Sequence, residues 1–283
     1  MMAQLPRQVL VETVARALAE DLGARGDVTS IATVPADYRG RFALMARESG
    51  VLAGCAVAEE AFAQLDRAVK IDWQLEDGQP LRPGGVIAVI QGLARAILSG
   101  ERTALNFLGR LSGIATLTRR YVDALAGATA VIAHTRKTTP GLRALELHAV
   151  VAGGGARHRF GLDDAVLIKD NHVAMAGGVG EAVRRARAFA GHMARIAAEI
   201  DSLDQLDEAL ESGAESILLD NFSLADLREA VRRSRGRGVI LEASGNVALD
   251  TVGDIAATGV DVISVGALTH SAPCLDLGLD VHD

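Results

Sequence analysis

The chain has 283 residues, of which 49% are hydrophobic, 23% charged and 3% aromatic, a globular composition that excludes a disordered or collagen-like chain. At ~150 residues per domain the length suggests roughly two domains, and the formal net charge of −7 argues against a general nucleic-acid binder. The two cysteines form no CxxC motif, and no apolar run reaches the ~18 residues that span a bilayer. Charged residues also interrupt any signal sequence at the N-terminus. Together these features predict a cytoplasmic protein.

The first half of the chain predicts a mixed α+β domain. Apolar residues at helical spacing predict amphipathic helices over 7–22 and 56–65. Short apolar runs, separated by turn signals such as Asp77-Gly78, predict the strands of a small antiparallel sheet. These runs cover 41–48, 69–75 and 86–90.

A long helical pattern begins at 99 and continues to 125, and Gly109 and Gly113 are expected to break it into two helices. We place the boundary between two domains in this region, with the first domain at 1–112 and the second at 113–269. The C-terminal tail at 270–283 is expected to pack on the first domain.

The second half of the chain repeats a unit in which a short apolar run precedes an amphipathic stretch. Such runs are typical of parallel strands buried on both faces, and a repeat of about 22 residues predicts an α/β barrel or part of one. The runs cover 165–168, 196–198, 217–219, 239–241 and 260–265.

Polar residues stand at the end of each of these five runs. Active sites of α/β barrels lie at the carboxyl ends of the strands, so the five polar ends predict one shared site. The residues concerned are Lys169-Asp170, Glu199, Asp220-Asn221, Glu242 with Ser244, and Ser264 with Gly266.

The last two of these strand ends predict a phosphate site, because small residues such as Gly245 and Gly266 let backbone N–H groups approach a phosphate next to a helix N-terminus.

The segment 134–159 is basic within an acidic protein, which predicts a pocket for a ligand with more than one anionic group. Its histidines lack HExxH spacing and no cysteine lies nearby, which argues against zinc.

Lysine usage and two carboxylates narrow the chemistry further. Only three of the 29 basic residues are lysines, which favours a chemical need for Lys137 and Lys169. Glu199 and Asp220 are suited to hydrated Mg²⁺ or to the hydroxyls of a sugar. Together these features predict chemistry on a phosphorylated sugar with an anionic co-substrate.

Several motifs in chain order resemble those of the quinolinate phosphoribosyltransferase family, the carboxylating nicotinate-nucleotide pyrophosphorylases, over nearly the whole chain. The most specific are TRKTTPG at 135–141, GGG-x-x-His-Arg at 153–159 and LIKDNH at 167–172. Further matches are ERTALN at 101–106, LDN at 219–221, EASG at 242–245 and SVGALTH at 264–270.

This resemblance implies a pentosyltransferase of NAD biosynthesis. Its reaction would join quinolinate to the phosphoribosyl group of phosphoribosyl pyrophosphate (PRPP), with decarboxylation, to give nicotinate mononucleotide, CO₂ and pyrophosphate. The resemblance further implies an N-terminal α/β sandwich domain beside an incomplete, TIM-like α/β barrel, with Mg²⁺ as cofactor. The expected assembly is a homodimer with a shared active site, with a hexamer of dimers as the larger alternative, and no nucleic-acid or membrane partner is expected.

The resemblance also implies a role for each matched residue. The catalytic residues would contact the phosphates of PRPP, its ribose hydroxyls and Mg²⁺: Lys137, Lys169, Glu199 and Asp220. Quinolinate would be bound by Thr135, Arg136, His158 and Arg159, and by Arg102, which would reach into the site of the partner subunit. The 5-phosphate would be held by Ser244, Gly245, Asn246, Gly266 and His270.

Several positions depart from the family pattern, mostly around the acid pocket. His134 stands where the pattern has Asp, Arg157 where it has Asn, and Ala197 where it has Glu. Leu147 and Val151 replace two basic residues. These changes leave room for an altered affinity for quinolinate or for a related acid.

Three alternatives stay open at this point. A paralogous phosphoribosyltransferase would use PRPP with another pyridine or aromatic acid. A Schiff-base aldolase or lyase would use Lys169 as its nucleophile, although it would leave the arginine and histidine cluster unexplained. A non-catalytic ligand-binding protein would bind PRPP tightly without forming a product.

Overall fold

The computed structural model describes residues 5–282, which form two compact units. The first unit contains the chain through Arg119, the segment Thr138–Gly154 and the residues from Ala267 onward. The second unit contains Arg120–Lys137 and Gly155–Gly266. The units are interleaved in sequence, because Thr138–Gly154 and the residues from Ala267 onward make their contacts within the first unit.

The helices and strands alternate along most of the chain. In chain order the first elements are α1 (Arg7–Leu22), α2 (Val28–Thr33), β1 (Arg39–Ala46), β2 (Gly50–Val51), α3 (Cys55–Leu65), β3 (Lys70–Trp73), β4 (Pro80–Leu81), β5 (Val86–Leu93), α4 (Ala94–Asp123), β6 (Val131–Ala133) and α5 (Arg143–Ala152). They are followed by β7 (Val166–Ile168), α6 (Asp170–Ala176), α7 (Val179–Ala190), β8 (Ile196–Ile200), α8 (Leu203–Glu211), β9 (Ser216–Asp220), α9 (Leu224–Ser234), β10 (Ile240–Ser244), α10 (Val252–Ala256), β11 (Val262–Ser264), α11 (Ala267–His270) and β12 (Leu277–Val281). Between residues 5 and 282, no helix combines the length and the apolar character needed to cross a membrane.

Helix α4 is one continuous helix of 30 residues, so the predicted break at Gly109 and Gly113 is wrong. Both glycines instead allow the backbone of the C-terminal tail to pack directly on the helix. A Cβ atom at Gly109 would lie 2.8 Å from the carbonyl oxygen of Leu275, and one at Gly113 would lie 1.8 Å from that of Pro273. Close backbone approach therefore explains these glycines, and they do not end a helix.

The first unit contains a four-stranded antiparallel sheet in the order β12-β1-β5-β3, which confirms the predicted small sheet. Strand β12, which the sequence pattern did not predict, pairs along β1, and Arg47 forms an ion pair with Asp280 at 2.8 Å. Leu44 of β1, Phe62 of α3 and Leu108 of α4 line the same small cavity. Helices α3 and α4 therefore cover one face of this sheet.

The second unit contains a six-stranded parallel sheet in the order β6-β11-β10-β9-β8-β7. Five of its strands correspond to the five apolar runs predicted from the sequence, and β6 at Val131–Ala133 is the strand that the pattern missed. Helices separate most of the strands, as parallel connections require. This sheet matches the expected incomplete α/β barrel.

Strand alternation decides which side chains face the interior of this sheet. Successive residues of a strand point to opposite faces, so Ile240, Glu242 and Ser244 of β10 share one face. Leu218 and Asp220 of β9 follow the same spacing. All five side chains line cavities on this face, with the residues at the carboxyl ends of the strands lining the larger cavity.

Candidate active site

The polar strand ends of the parallel sheet converge on one cavity of about 400 Å³. Every residue that lines this cavity belongs to the second unit. The predicted site residues in its wall are Thr135, Arg136, Lys137, His158, Arg159, Lys169, Glu199, Asp220 and Ser244. Six segments distant in sequence thus contribute to one pocket because they end at the same edge of a parallel sheet.

Arg136 and Arg159 are the two arginines in the wall of the pocket. Burial lowers the pKa of Arg159, and the positive charge of Arg136 lowers it further, whereas Glu199 and Asp164 act in the opposite direction. The Nε atoms of both arginines are buried and lack a hydrogen-bond partner among residues 5–282. Arg159 uses one Nη1–H to bind the carbonyl oxygen of Ala165 at 3.2 Å. The two guanidinium groups are therefore suited to an anionic ligand that would supply the missing acceptors.

Lys169 and Glu199 form an ion pair at the ends of β7 and β8. The side chain of Lys169 is 45% exposed and that of Glu199 is 13% exposed, so the lysine is accessible from solvent whereas the carboxylate is largely enclosed. Lys137 lies on the exposed loop after β6, where its backbone N–H donates to Thr135 Oγ1 at 3.1 Å. Both lysines therefore present ammonium groups on the open side of the pocket.

The loops after β9 and β10 form a compact polar turn. The Asn221 N–H donates to the Ser244 carbonyl at 2.8 Å, and Asn246 Nδ2 donates to Asn221 Oδ1 at 3.1 Å. Gly245 has φ +93°, and a Cβ atom there would lie 2.2 Å from Asn221 Oδ1, so no side chain fits. Asn246 also adopts a positive φ of 49°. Of the predicted phosphate-binding residues in the second unit, Ser244 lines the cavity, whereas Gly245, Asn246 and Gly266 do not.

Three polar lining residues carry no role in the sequence-based prediction: His134, Glu242 and Ser264. All three are buried, with exposures of 1%, 4% and 6% respectively. In the sequence, Glu242 and Ser264 stand at predicted strand ends, and this pattern alone assigns no function to either residue. In the folded chain His134 and Glu242 contact His158, and Ser264 contacts Glu242.

The remaining predicted residues lie elsewhere in the described chain. Arg102 is exposed on α4, and His270 is exposed at the end of α11; both belong to the first unit. Helix α11 begins directly after Gly266 but has only four residues, whereas α10 begins six residues after Asn246. Of the positions that depart from the family pattern, Leu147 is buried, Val151 is half-buried, Arg157 is exposed, and Ala197 lines a second cavity of about 230 Å³.

The pocket offers two carboxylates, those of Glu199 and Asp220, to a metal ion. No group of three or more His, Cys, Asp or Glu residues within 5–282 is arranged to hold a metal by itself. Glu199 and Asp220 nevertheless line one pocket, and Mg²⁺ is commonly bound by one or two carboxylates together with substrate phosphates. The donor set therefore fits an ion that arrives with a phosphorylated substrate.

Comparison with known proteins covers almost the entire chain. Residues 27–112 match the N-terminal domain of the quinolinate phosphoribosyl transferase family, and residues 114–280 match its C-terminal domain. The chain is 46% identical to the nicotinate-nucleotide pyrophosphorylase [carboxylating] of Mycobacterium leprae, over 95% of this chain and 96% of that protein. It is 44% identical to the probable nicotinate-nucleotide pyrophosphorylase [carboxylating] of Bacillus subtilis, over 93% and 90%.

Solved structures show the same fold. The structure of the nicotinate-nucleotide pyrophosphorylase from Francisella tularensis superposes with a TM-score of 0.95 at 39% identity, covering 100% of this chain and 99% of that one. The crystal structure of NadC from Streptococcus pyogenes superposes with a TM-score of 0.94 at 39% identity, covering 99% and 100%. Both units of the chain are therefore represented in each of these structures.

Proposed function

The chain belongs to the quinolinate phosphoribosyltransferase family, and we propose that the pocket of its second unit is the site of that reaction. The enzyme is a pentosyltransferase of NAD biosynthesis: it joins quinolinate to the phosphoribosyl group of PRPP, with loss of CO₂, to give nicotinate mononucleotide and pyrophosphate. One observation carries the assignment of the site. Arg136 and Arg159 each place in the wall of one pocket a buried Nε–H that has no acceptor among residues 5–282, an arrangement that suits a dicarboxylate.

Quinolinate binds beside these two arginines. Burial and then the positive charge of Arg136 lower the pKa of Arg159, and the two carboxylates offer acceptors to both guanidinium groups and offset the repulsion between them. Thr135 and His158 complete the wall of this acid pocket. A guanidinium fork also fixes the plane of the pyridine ring, so that its nitrogen faces the sugar.

The phosphoribosyl donor occupies the open side of the pocket. Lys137 and Lys169 bind the pyrophosphate, and Lys169 exchanges its ion pair with Glu199 for phosphate oxygens. Glu199 and Asp220 are then available to the ribose hydroxyls. The 5-phosphate rests on the polar groups of Ser244 and Asn246 and on the backbone of Gly245 and Gly266.

Glu199 and Asp220 would also hold Mg²⁺, which when bound with PRPP supplies positive charge to the departing pyrophosphate. The residues of the chain contribute the rest. The lysines stabilise the negative charge that builds on the leaving group, and the carboxylates favour the cationic character that develops at C1 of the ribose. The pyridine nitrogen, held in line by the arginines, then bonds to C1.

Decarboxylation follows from the same binding mode. Once the ring nitrogen is quaternary, the electron pair left at C2 by departing CO₂ is stabilised by the adjacent positive charge, and a proton then replaces the carboxylate. No covalent bond between enzyme and substrate is needed, so Lys169 acts as a cation and not as a Schiff-base nucleophile. Borohydride should therefore trap no adduct in the presence of substrate.

We further propose that the active enzyme is a homodimer in which Arg102 completes the partner's acid pocket. Arg102 is exposed on α4, which leaves its guanidinium available to another subunit. Mixing an Arg102→Ala chain with a Lys169→Ala chain would create some sites with both residues intact. Partial recovery of activity in verified mixed dimers is expected, and no recovery would exclude a shared site.

A cytoplasmic location is supported by the two free thiols of Cys55 and Cys274.

A panel of pyridine acids tests the assignment of the substrate. With PRPP and Mg²⁺ present, we expect turnover of quinolinate to exceed that of nicotinate, which has a single carboxylate, by at least about 100-fold, since each charge-assisted hydrogen bond contributes about 1.5–3 kcal/mol. Faster turnover of another aromatic acid would favour a paralogous phosphoribosyltransferase. Tight binding of PRPP without turnover of any acid would favour a non-catalytic binding protein.

A further inference from the structure

Glu242 is a carboxylate buried in the wall of the pocket, and the reaction described above gives it no role. It lies in the middle of β10, it is 4% exposed, and it borders both the cavity of about 400 Å³ and the second cavity of about 230 Å³. An ionised carboxylate in such a place is costly unless it is hydrogen-bonded. Its contacts therefore indicate what it does.

Two side chains from other segments contact the two oxygens of Glu242. The hydroxyl of Ser264, at the end of β11, donates to Oε1. The Nε2 atom of His158 lies 3.4 Å from Oε2. Glu242 thus links a neighbouring strand to the 155–165 segment that carries His158 and Arg159.

The hydrogen bonds of His158 assign its protonation. Nδ1 accepts the backbone N–H of Arg159 at 2.8 Å, so this nitrogen carries no proton. The ring proton consequently resides on Nε2, which faces the carboxylate of Glu242. Both ring nitrogens are therefore engaged inside the protein.

His134 holds the same segment from the other side. Its Nε2 accepts the backbone N–H of His158 at 3.1 Å, and its Nδ1 lies 3.3 Å from the carbonyl oxygen of Thr135. The two imidazole rings are 6.3 Å apart between centroids. The backbone of His158 is therefore fixed by His134, while its ring is fixed by Glu242. Arg159 is the next residue, so its side chain is attached to this fixed segment.

We propose that Glu242 is a positioning residue for acid binding: it holds His158 in the Nε2–H form, and through His158 it sets where the Arg159 guanidinium meets the substrate carboxylate. This inference rests on the proposed function, because it assigns quinolinate to the pocket that Arg159 lines. Glu242 itself contacts neither the acid nor the sugar. Its loss should consequently weaken acid binding more than PRPP binding.

The test combines substrate kinetics with the state of the His158 ring. Glu242→Leu keeps a similar volume but removes the acceptor, and we expect the KM for quinolinate to rise about tenfold or more while the KM for PRPP stays within about threefold. Glu242→Gln retains an acceptor for His158 and should restore most of the quinolinate affinity. Ser264→Ala is the matched control, because it removes the other hydrogen bond to the same carboxylate and leaves the His158 contact in place.

Nitrogen-15 NMR of histidine-labelled protein reports the tautomer of the His158 ring, which should change only if Glu242 acts on that ring. The His158 resonances, assigned by their absence in His158→Gln, should show the Nε2–H form in the wild type and a mixture of tautomers in Glu242→Leu. If Glu242→Leu does not fold, Glu242→Asp withdraws the acceptor by one methylene and should show the same effects in weaker form. An unchanged tautomer, or an equal rise in both KM values, would overturn the proposal. Absence of quinolinate turnover by the wild type would contradict the proposed function, while the NMR result would still decide whether Glu242 positions His158.

Discussion

The substitution Arg159→Lys tests the acid pocket while keeping its charge. Arg159 already uses one N–H to bind the Ala165 carbonyl at 3.2 Å, and its buried Nε–H awaits a partner. A lysine has no planar fork, so it cannot retain this anchor and also present two parallel donors to a carboxylate. Losing one charge-assisted hydrogen bond costs about 1.5–3 kcal/mol, which corresponds to a fall of about 10–150-fold in kcat/KM for quinolinate.

The assay is the initial rate of nicotinate mononucleotide formation at varied quinolinate, with PRPP and Mg²⁺ saturating. Arg237→Lys is the matched control, because Arg237 is the same residue type in the same unit but is exposed and lines neither cavity. We expect this control to change kcat/KM by less than about twofold, as is usual for exposed substitutions away from a site. A loss below about threefold in Arg159→Lys, or an equal loss measured against PRPP, would refute the assignment of Arg159 to the acid.

Four further predictions concern the donor side, the metal and the fold. Lys169→Met should lower kcat by about 10²–10³-fold, since it removes a cation aimed at the leaving group, and calorimetry should find quinolinate affinity little changed. Removing divalent cations with EDTA should abolish turnover, and added Mg²⁺ should restore it; activity that persists in EDTA would contradict a role for Glu199 in metal binding. Burial opposes ionisation of Asp77, but hydrogen bonds from His148 and two backbone N–H groups lower its pKa overall. The stabilising contribution of the ionised Asp77 is therefore complete above the unfolded pKa of about 3.9, and it is lost as the pH falls through the lower folded pKa. Asp77→Asn should destabilise the protein by about 1–3 kcal/mol at pH 7. Urea unfolding should show that this destabilisation becomes progressively smaller below about pH 4. Gly113→Ala should lower the free energy of unfolding by about 2 kcal/mol or more, because its Cβ would collide with a backbone carbonyl of the C-terminal tail; an unchanged denaturation midpoint would show that the tail is not packed there.

The strand ends of the second unit could be predicted from the sequence because their pattern is local. Buried parallel strands appear as short apolar runs, and the residue that follows each run lies at the same edge of the sheet. Lys169, Glu199, Asp220 and Ser244 were therefore expected in one place, and they line one pocket. The chemistry of that pocket followed from residue types, while the substrate followed from the resemblance of longer motifs.

The course of helix α4 could not be predicted from local signals. A glycine within a helical pattern is compatible with a break or with a close contact, and only the position of residues far along the chain distinguishes the two. In this protein the carbonyl oxygens of Leu275 and Pro273 occupy the space that side chains at Gly109 and Gly113 would need. The pairing of β12 with β1 is likewise a long-range contact that no short pattern indicates.

The buried contacts around His158 are also a product of tertiary structure. Glu242 and Ser264 were noted as polar strand ends, but their shared contact depends on the pairing of β10 with β11. His134 stands where the family pattern has an acid, and the sequence alone suggested altered acid binding. The fold shows that its Nε2 accepts the backbone N–H of His158, so an imidazole nitrogen provides the acceptor there.

The most direct test of the proposed reaction follows both products at once. Purified protein would be incubated with PRPP, Mg²⁺ and quinolinate labelled in the carboxylate that is lost, and nicotinate mononucleotide and labelled CO₂ would be measured together. The site described above predicts equal amounts of the two products, and a parallel loss of both in Arg159→Lys. Nucleotide without CO₂, or neither product while PRPP remains bound, would contradict a decarboxylating transfer in the pocket that Arg136 and Arg159 line.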